Sequence, residues 1–153
     1  MTSHDRVKEL ADTCSQKPVR NLVRMETTSR PRRVAIADDS PDFLAAAATY
    51  VETLPGFTVA GTARTAPQIL ELVEKSMPDV LLVDLRIASE RGIELLRQVK
   101  AARAALAVVA LTLFESPQAA EAARRAGADA VVGKTSFIGG LARTLERLFP
   151  SAA

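Results

Sequence analysis

Five polar residues each follow a short apolar run, and together their types could support phosphoryl transfer to a carboxylate. They are Asp38, Asp39, Asp84, Thr112 and Lys134. Three carboxylates within about 4–6 Å of one another repel by several kcal/mol at an effective dielectric of about 20, and a hard cation such as Mg²⁺ relieves that repulsion. A carboxylate nucleophile, a lysine and a hydroxyl donor complete the requirements of this chemistry. Each residue alone also fits an ordinary role, as a turn former, a strand threonine or a surface lysine.

The composition argues against several other kinds of site. The chain has 153 residues with a formal net charge of +2, which suits one domain with a real core and is weak evidence for nucleic-acid binding. Cys14 is the only cysteine and His4 the only histidine. An internal disulfide, a cysteine metal cluster, a two-histidine zinc site and a Ser-His-Asp triad are therefore not supported.

The hydropathy of the sequence bears on its expected cellular location. No apolar run approaches membrane-spanning length, and the N-terminus lacks the apolar core of a signal peptide. We therefore expect a cytoplasmic protein with no membrane partner.

Short apolar runs predict the strands that would position the five residues. The run of residues 80–83 is continuously apolar and leads into Asp84, as expected of a parallel strand buried on both faces. The other predicted strands are Val34–Ala37, Phe57–Ala60, Leu106–Leu111 and Ala130–Val132.

Capping residues indicate where the helices between these strands begin and end. Ser40, Thr65, Ser116 and Ser136 are predicted N-terminal positions, with prolines at Pro41 and Pro117 suited to a first turn. Gly127 fits a left-handed C-terminal cap. In the second helix Ile69, Leu70, Leu72 and Val73 are expected to face the core.

Five strands alternating with five helices predict an α/β fold, a doubly wound parallel sheet with helices on both faces. Right-handed crossovers bring the carboxyl ends of all strands to one edge. That edge would carry Asp38, Asp39, Asp84, Thr112 and Lys134 together.

Residues 33–149 resemble a response-regulator receiver domain of two-component signalling, with the motifs in the same order. Asp38 and Asp39 resemble the family's acidic pair, Asp84 its phospho-accepting aspartate, Thr112 its switch hydroxyl and Lys134 its lysine, while Gly92 matches a glycine after the phosphorylation loop. The segments 39–41 and 111–114 look most like the subfamily that usually carries a helix-turn-helix output domain. The resemblance implies a flavodoxin-like strand order of 2-1-3-4-5.

The resemblance also implies a cofactor and an activity. Asp39, Asp84 and the backbone carbonyl of Arg86 would bind Mg²⁺, with Asp38 acting through water. Asp84 would accept a phosphoryl group from a histidine kinase or phosphotransfer protein. The chain would catalyse only its own phosphorylation and dephosphorylation, and would not be an enzyme for a separate substrate.

The sequence departs from the family pattern at several positions. Ala88 and Thr135 stand where prolines are common, and Val131 stands where many receivers have an aromatic switch residue. The resemblance also places Arg86 and Phe114, each two positions after a site residue, over the approach of an attacking water, so they are expected to shield the phosphoryl group and modulate its lifetime.

The predicted organisation has three parts. Residues 1–31 form an N-terminal arm, a short helix or a disordered segment, residues 32–150 form the receiver domain, and residues 151–153 form a tail. The arm carries several arginines without an aromatic residue, so a solvated arm is favoured over a nucleic-acid-binding one, and direct DNA binding is not expected.

Three functional hypotheses remain open from the sequence. The first is a stand-alone receiver whose phosphorylation switches self-association or binding to a downstream protein. The second is a receiver-like scaffold or adaptor that works without phosphorylation. The third is an aspartate-nucleophile phosphatase, which is less favoured because Arg86 stands where a further acid/base residue would be needed.

Overall fold

The structure is a computed structural model that describes residues 30–86 and 92–150. Most of the predicted arm, the tail and Ala88 lie outside these residues, so the proposed division into arm, domain and tail stays a prediction. The strands are β1 (Arg32–Ala37), β2 (Phe57–Ala63), β3 (Val80–Asp84), β4 (Ala107–Thr112) and β5 (Ala130–Gly133). The helices are α1 (Pro41–Thr53), α2 (Ala66–Ser76), α3 (Gly92–Ala102), α4 (Pro117–Ala126) and α5 (Phe137–Leu148), with a short 3₁₀ turn at Lys134–Ser136.

The strands form one parallel sheet in the order β2-β1-β3-β4-β5. Helices α1 and α5 pack on one face, and α2, α3 and α4 pack on the other. The predicted doubly wound fold and strand order are therefore confirmed. Among the described residues, no helix combines the length and the apolar character needed to cross a membrane.

Strand β3 lies at the centre of this sheet, paired with β1 on one side and β4 on the other. All five of its residues are buried. Leu81 and Val83 belong to the core under α2, α3 and α4, whereas Val80 and Leu82 belong to the core under α1 and α5. Each such side chain contributes about 1.5–3 kcal/mol on full burial. The strand is thus a rigid support for the carboxylate that ends it.

Three helices begin as the capping pattern predicts. The hydroxyls of Ser40, Thr65 and Ser116 accept hydrogen bonds from backbone N–H groups three residues later, at 3.2, 3.3 and 3.1 Å. Such caps are typically worth about 1 kcal/mol each. Gly127 has a φ of 116°, so the predicted left-handed cap of α4 is also present. Helix α4 buries only Ala123 and Ala126, whereas α5 buries Phe137, Leu141 and Leu145.

Two details of the prediction are wrong. Strand β2 runs to Ala63 and not to Ala60, because a register shift against Val34 and Ala35 lets the strand continue through Gly61. Leu70 is 38% exposed and does not face the core, since it lies one position beyond Ile69 and the helix has turned about 100° away from the sheet.

Gly92, at the start of α3, lies tightly against the end of β3. A Cβ added there would lie 1.9 Å from the backbone oxygen of Leu85, which cannot move without shifting the chain next to Asp84. We expect Gly92→Ala to lower the free energy of unfolding by about 1–3 kcal/mol through overpacking. Urea denaturation measures this change.

Gly139 supplies the matched control, because a Cβ there would meet only Arg143 Nη2, at 3.8 Å. Gly139→Ala lies inside α5 and should raise stability by about 0.5–1 kcal/mol. Equal midpoints for the two variants would contradict the tight contact at Gly92.

Candidate functional site

Asp84, the last residue of β3, is only 1% exposed, and both carboxylate oxygens have partners. Oδ1 accepts a hydrogen bond from the backbone N–H of Arg86 at 2.8 Å, and Oδ2 accepts one from Lys134 Nζ at 2.6 Å. The guanidinium of Arg86 lies 3.6 Å from Oδ2, with its side chain 58% exposed. The Asp84 carboxylate is thus held by the buried ammonium of Lys134 and approached by the exposed guanidinium of Arg86.

Asp38, directly after β1, is fully buried beside Asp84. Its Oδ1 accepts a hydrogen bond from the backbone N–H of Ser40 at 2.9 Å. Its Oδ2 contacts the Lys134 ammonium, yet among the described residues no group hydrogen-bonds to this oxygen with good geometry. Asp38 therefore presents a buried oxygen whose hydrogen-bonding capacity is not fully used.

Asp39 completes an acidic group at the same edge of the sheet. Carboxylate oxygens of Asp38, Asp39 and Asp84 lie within 4.8 Å of one another. Asp39 is exposed, and its backbone carbonyl accepts a hydrogen bond from Arg64 Nη2 at 3.3 Å. The three carboxylates outnumber the two nearby cations, the buried Lys134 ammonium and the exposed Arg86 guanidinium, so the site favours a further cation.

The pKa values of the buried groups reflect this arrangement. Burial acts most strongly on Asp38 and raises its pKa above the ordinary value, despite the Lys134 and Ser40 contacts. Burial also opposes ionisation of Asp84, but the Lys134 hydrogen bond, the Arg86 N–H and both cationic charges together lower the pKa of Asp84. Burial opposes the charge of Lys134, and the two carboxylates outweigh it and raise the pKa of Lys134. Asp84 is therefore ionised at neutral pH and available as a nucleophile.

Lys134 reaches the aspartates from the end of β5. The pairing of Thr112 with Gly133 aligns the ends of β4 and β5, and Lys134 follows in the 3₁₀ turn. Its ammonium also lies 4.6 Å from the ring centroid of Phe43 on α1. Nothing in the local sequence pattern around Phe43 signals this contact.

Thr112 ends β4 half-buried, and its hydroxyl points into the following loop. It donates a hydrogen bond to the backbone oxygen of Phe114 at 2.9 Å. The ring of Phe114 is 77% exposed. Four predicted site residues (Asp38, Asp39, Asp84 and Lys134) thus lie together, while the Thr112 hydroxyl is engaged with the loop.

Val131 is half-buried beside a pocket of about 310 Å³. The pocket lies between the end of β4, β5 and one face of α4, and it is lined in part by Thr112, Glu115 and Arg124. A side chain larger than valine at this position would face that space.

The sequence is similar to a known family over most of its length. The profile of the response regulator receiver domain matches residues 34–146. A protein-glutamate methylesterase/protein-glutamine glutaminase of Myxococcus xanthus is 33% identical over 105 residues, which cover 68% of this chain and 30% of that protein. The transcriptional regulatory protein PdtaR of Mycobacterium tuberculosis is 31% identical over 116 residues, which cover 76% of this chain and 56% of that protein. The matched part of the chain thus covers 30% of the length of the first relative and 56% of the length of the second.

The fold is similar to that of a response regulator of known structure. A two-component response regulator of the LuxR family from Aurantimonas sp. SI85-9A1 superposes with a TM-score of 0.72 and 26% identity, over 77% of this chain and 84% of that chain. The match of the family profile runs from within β1 to within α5 and includes the positions of Asp38, Asp39, Asp84, Thr112 and Lys134. The chain belongs to the family of response regulator receiver domains.

Proposed function

We propose that this chain is a phosphorylation switch in which Asp84 accepts a phosphoryl group from a histidine kinase or phosphotransfer protein in the cytoplasm. The observation that carries the proposal is the 2.6 Å hydrogen bond from Lys134 to an ionised, buried Asp84 beside two further carboxylates. The chain would catalyse only its own phosphorylation and dephosphorylation.

The acidic group suits Mg²⁺, because its donors are hard oxygens and the buried Oδ2 of Asp38 lacks a well-directed hydrogen bond among the described residues. Asp38, Asp39, Asp84 and the backbone carbonyl of Arg86 would hold the ion, Asp38 through water. When bound, the ion would neutralise negative charge on the transferring phosphoryl oxygens.

The residues of the chain account for the remaining chemistry. A carboxylate oxygen of Asp84 forms a bond to phosphorus while the bond from phosphorus to the donor imidazole nitrogen breaks, and the electron pair stays on that nitrogen. The Lys134 ammonium contacts Asp84 Oδ2 and can shift to contact the new phosphoryl oxygens. The N–H of Arg86 holds Oδ1 and fixes the orientation of the nucleophile.

The test is incubation of the protein with acetyl phosphate, followed by intact mass. We expect one phosphoryl group per chain when Mg²⁺ is present and none when the metal is chelated. Borohydride reduction followed by peptide mapping identifies the modified residue. Unmodified protein under all conditions would overturn the proposal and favour the scaffold or adaptor.

Arg86 and Phe114 are expected to lengthen the life of the phosphoryl group. Arg86 lies beside Asp84 Oδ2, and Phe114 lies in the loop that Thr112 anchors. Neither side chain is a carboxylate or amide suited to orient an attacking water. The double variant Arg86→Asn with Phe114→Glu should therefore lose its phosphoryl group several-fold faster than the wild type. Decay is followed by intact mass after removal of acetyl phosphate, and an equal or slower loss would contradict the shielding role.

Phosphorylation is expected to change what the domain binds. Thr112 pairs with Gly133 of β5 and lines a pocket together with residues of α4, and α5 follows β5 in the chain. Recruitment of the Thr112 hydroxyl to a phosphoryl group would break its bond to Phe114 and alter packing in this region. We expect a change in self-association or in binding to a downstream protein. Light scattering with and without beryllofluoride measures the first, and pull-down measures the second. Identical results in both assays would argue against a switch.

A further inference from the structure

We infer that Phe43 is a positioning residue for Lys134, holding its ammonium against Asp38 and Asp84 through a cation–π contact. The inference deepens the proposed function and rests on it. The observation that carries it is the 4.6 Å distance between Lys134 Nζ and the centroid of the Phe43 ring. Favourable contacts of this kind extend to about 6 Å, and they are stronger where water is excluded.

The surroundings of Lys134 explain why a ring is needed. The ammonium has three N–H donors, and it contacts carboxylate oxygens of Asp38 and Asp84. The side chain is only 10% exposed, so water has little access to it. The ammonium lies over the electron-rich face of the Phe43 ring, which offers it a further electrostatic partner. An aliphatic side chain would cover the ammonium without offering it any electrostatic partner.

The ring itself is fixed by the segment that carries Lys134. Phe43 packs edge-on against Phe137, with centroids 5.2 Å apart, and Phe137 begins the helix directly after the 3₁₀ turn of Lys134. Phe137 also contacts the ring of Tyr50, whose hydroxyl donates to the backbone oxygen of Ile138. The ring of Phe43 is thus held between the N-terminal turn of α1 and the start of α5.

The electron density on the face of the Phe43 ring can be lowered with little change in packing. Site-specific incorporation of mono-, di- and trifluorinated phenylalanine at position 43 lowers the negative charge of the ring face in steps. We expect the rate of labelling by acetyl phosphate with Mg²⁺ to fall with each fluorine, reaching about two- to tenfold below the wild type. Phe43→Tyr keeps the ring face and should label at close to the wild-type rate, whereas Phe43→Leu should be slow.

Phe149 provides a control of the same chemistry. Its ring centroid lies 4.4 Å from the Arg32 guanidinium, at the start of β1 and away from Asp84. Trifluorination at Phe149 should leave the labelling rate unchanged. A second readout is the NMR shift of the Lys134 side-chain methylene protons next to nitrogen, which the Phe43 ring should move upfield and Phe43→Leu should return toward ordinary values.

The outcomes separate the two proposals. Equal labelling rates across the fluorinated series at position 43, in a protein that labels normally, would overturn the role of Phe43 alone. An equal loss of rate on fluorination of Phe43 and Phe149 would also overturn it, because the effect would then not depend on Lys134. A wild-type protein that accepts no phosphoryl group would overturn the proposed function and this inference with it.

Discussion

Asp84→Asn is expected to abolish phosphoryl labelling by acetyl phosphate while leaving the fold intact. The amide cannot form the bond to phosphorus, because it carries no anionic oxygen. The fold should survive, since the amide oxygen can still accept one of the two hydrogen bonds that Asp84 receives from Lys134 and from the N–H of Arg86, and Lys134 keeps its contact with Asp38. Removing one of two neighbouring buried carboxylates also relieves their repulsion. Intact mass reports labelling, and circular dichroism and urea denaturation report the fold.

Asp42→Asn is the matched control, because Asp42 lies exposed in the first turn of α1, close in sequence to the acidic pair. This variant should be labelled like the wild type. Labelling of the Asp84→Asn protein at the wild-type level would exclude Asp84 as the acceptor.

Among the substitutions considered, Lys134→Met is expected to lower the free energy of unfolding the most. It removes the cation that contacts Asp38 and Asp84, so two buried carboxylates remain without it. Removing one partner of such a buried ion pair typically costs about 3–5 kcal/mol. Methionine nearly keeps the volume, so the loss is electrostatic in origin. Labelling should also fall strongly, because the ammonium no longer offsets the charge of the phosphoryl group.

Urea denaturation with and without Mg²⁺ tests this expectation. The metal should recover part of the lost stability in Lys134→Met, since it would bind the carboxylates that have lost their cation. The control is Lys75→Met, which breaks a solvent-exposed pair with Glu71 and should change stability little. Similar urea midpoints for the Lys75 and Lys134 variants would show that the contacts of Lys134 with Asp38 and Asp84 contribute little to stability.

The fold was predictable because local signals agreed with one another. The apolar run before Asp84 indicated a strand buried on both faces, and β3 is buried throughout. Ser40, Thr65 and Ser116 marked helix starts that their side chains do cap. The end of β2 was missed because β2 pairs with β1 at the border of the sheet, where Gly61 and Thr62 carry little apolar signal.

The site was predictable in outline and not in its contacts. Parallel strands must bring their carboxyl ends to one edge, so Asp38, Asp39, Asp84 and Lys134 could be placed together from spacing alone. The ring of Phe43 over Lys134 joins residues 91 positions apart, and local periodicity contains no information on such a contact. Likewise the hydroxyl of Ser136 donates to Glu115 Oε1 at 3.3 Å, although the sequence assigned it only to a helix start.

The buried side chains of α4 are alanines only, and this limits the free energy needed to detach the helix from the sheet. Ala123 and Ala126 each bury one methyl group, worth about 0.8 kcal/mol, whereas the larger side chains of α5 contribute about 1.5–3 kcal/mol each. Sub-global opening of a protein proceeds first where few apolar contacts must be broken. The amide protons of α4 should therefore exchange with solvent before those of α5. Of these two helices, we therefore expect α4, which lies beside Thr112, to be the one that a modest change in free energy at Asp84 redistributes between conformations.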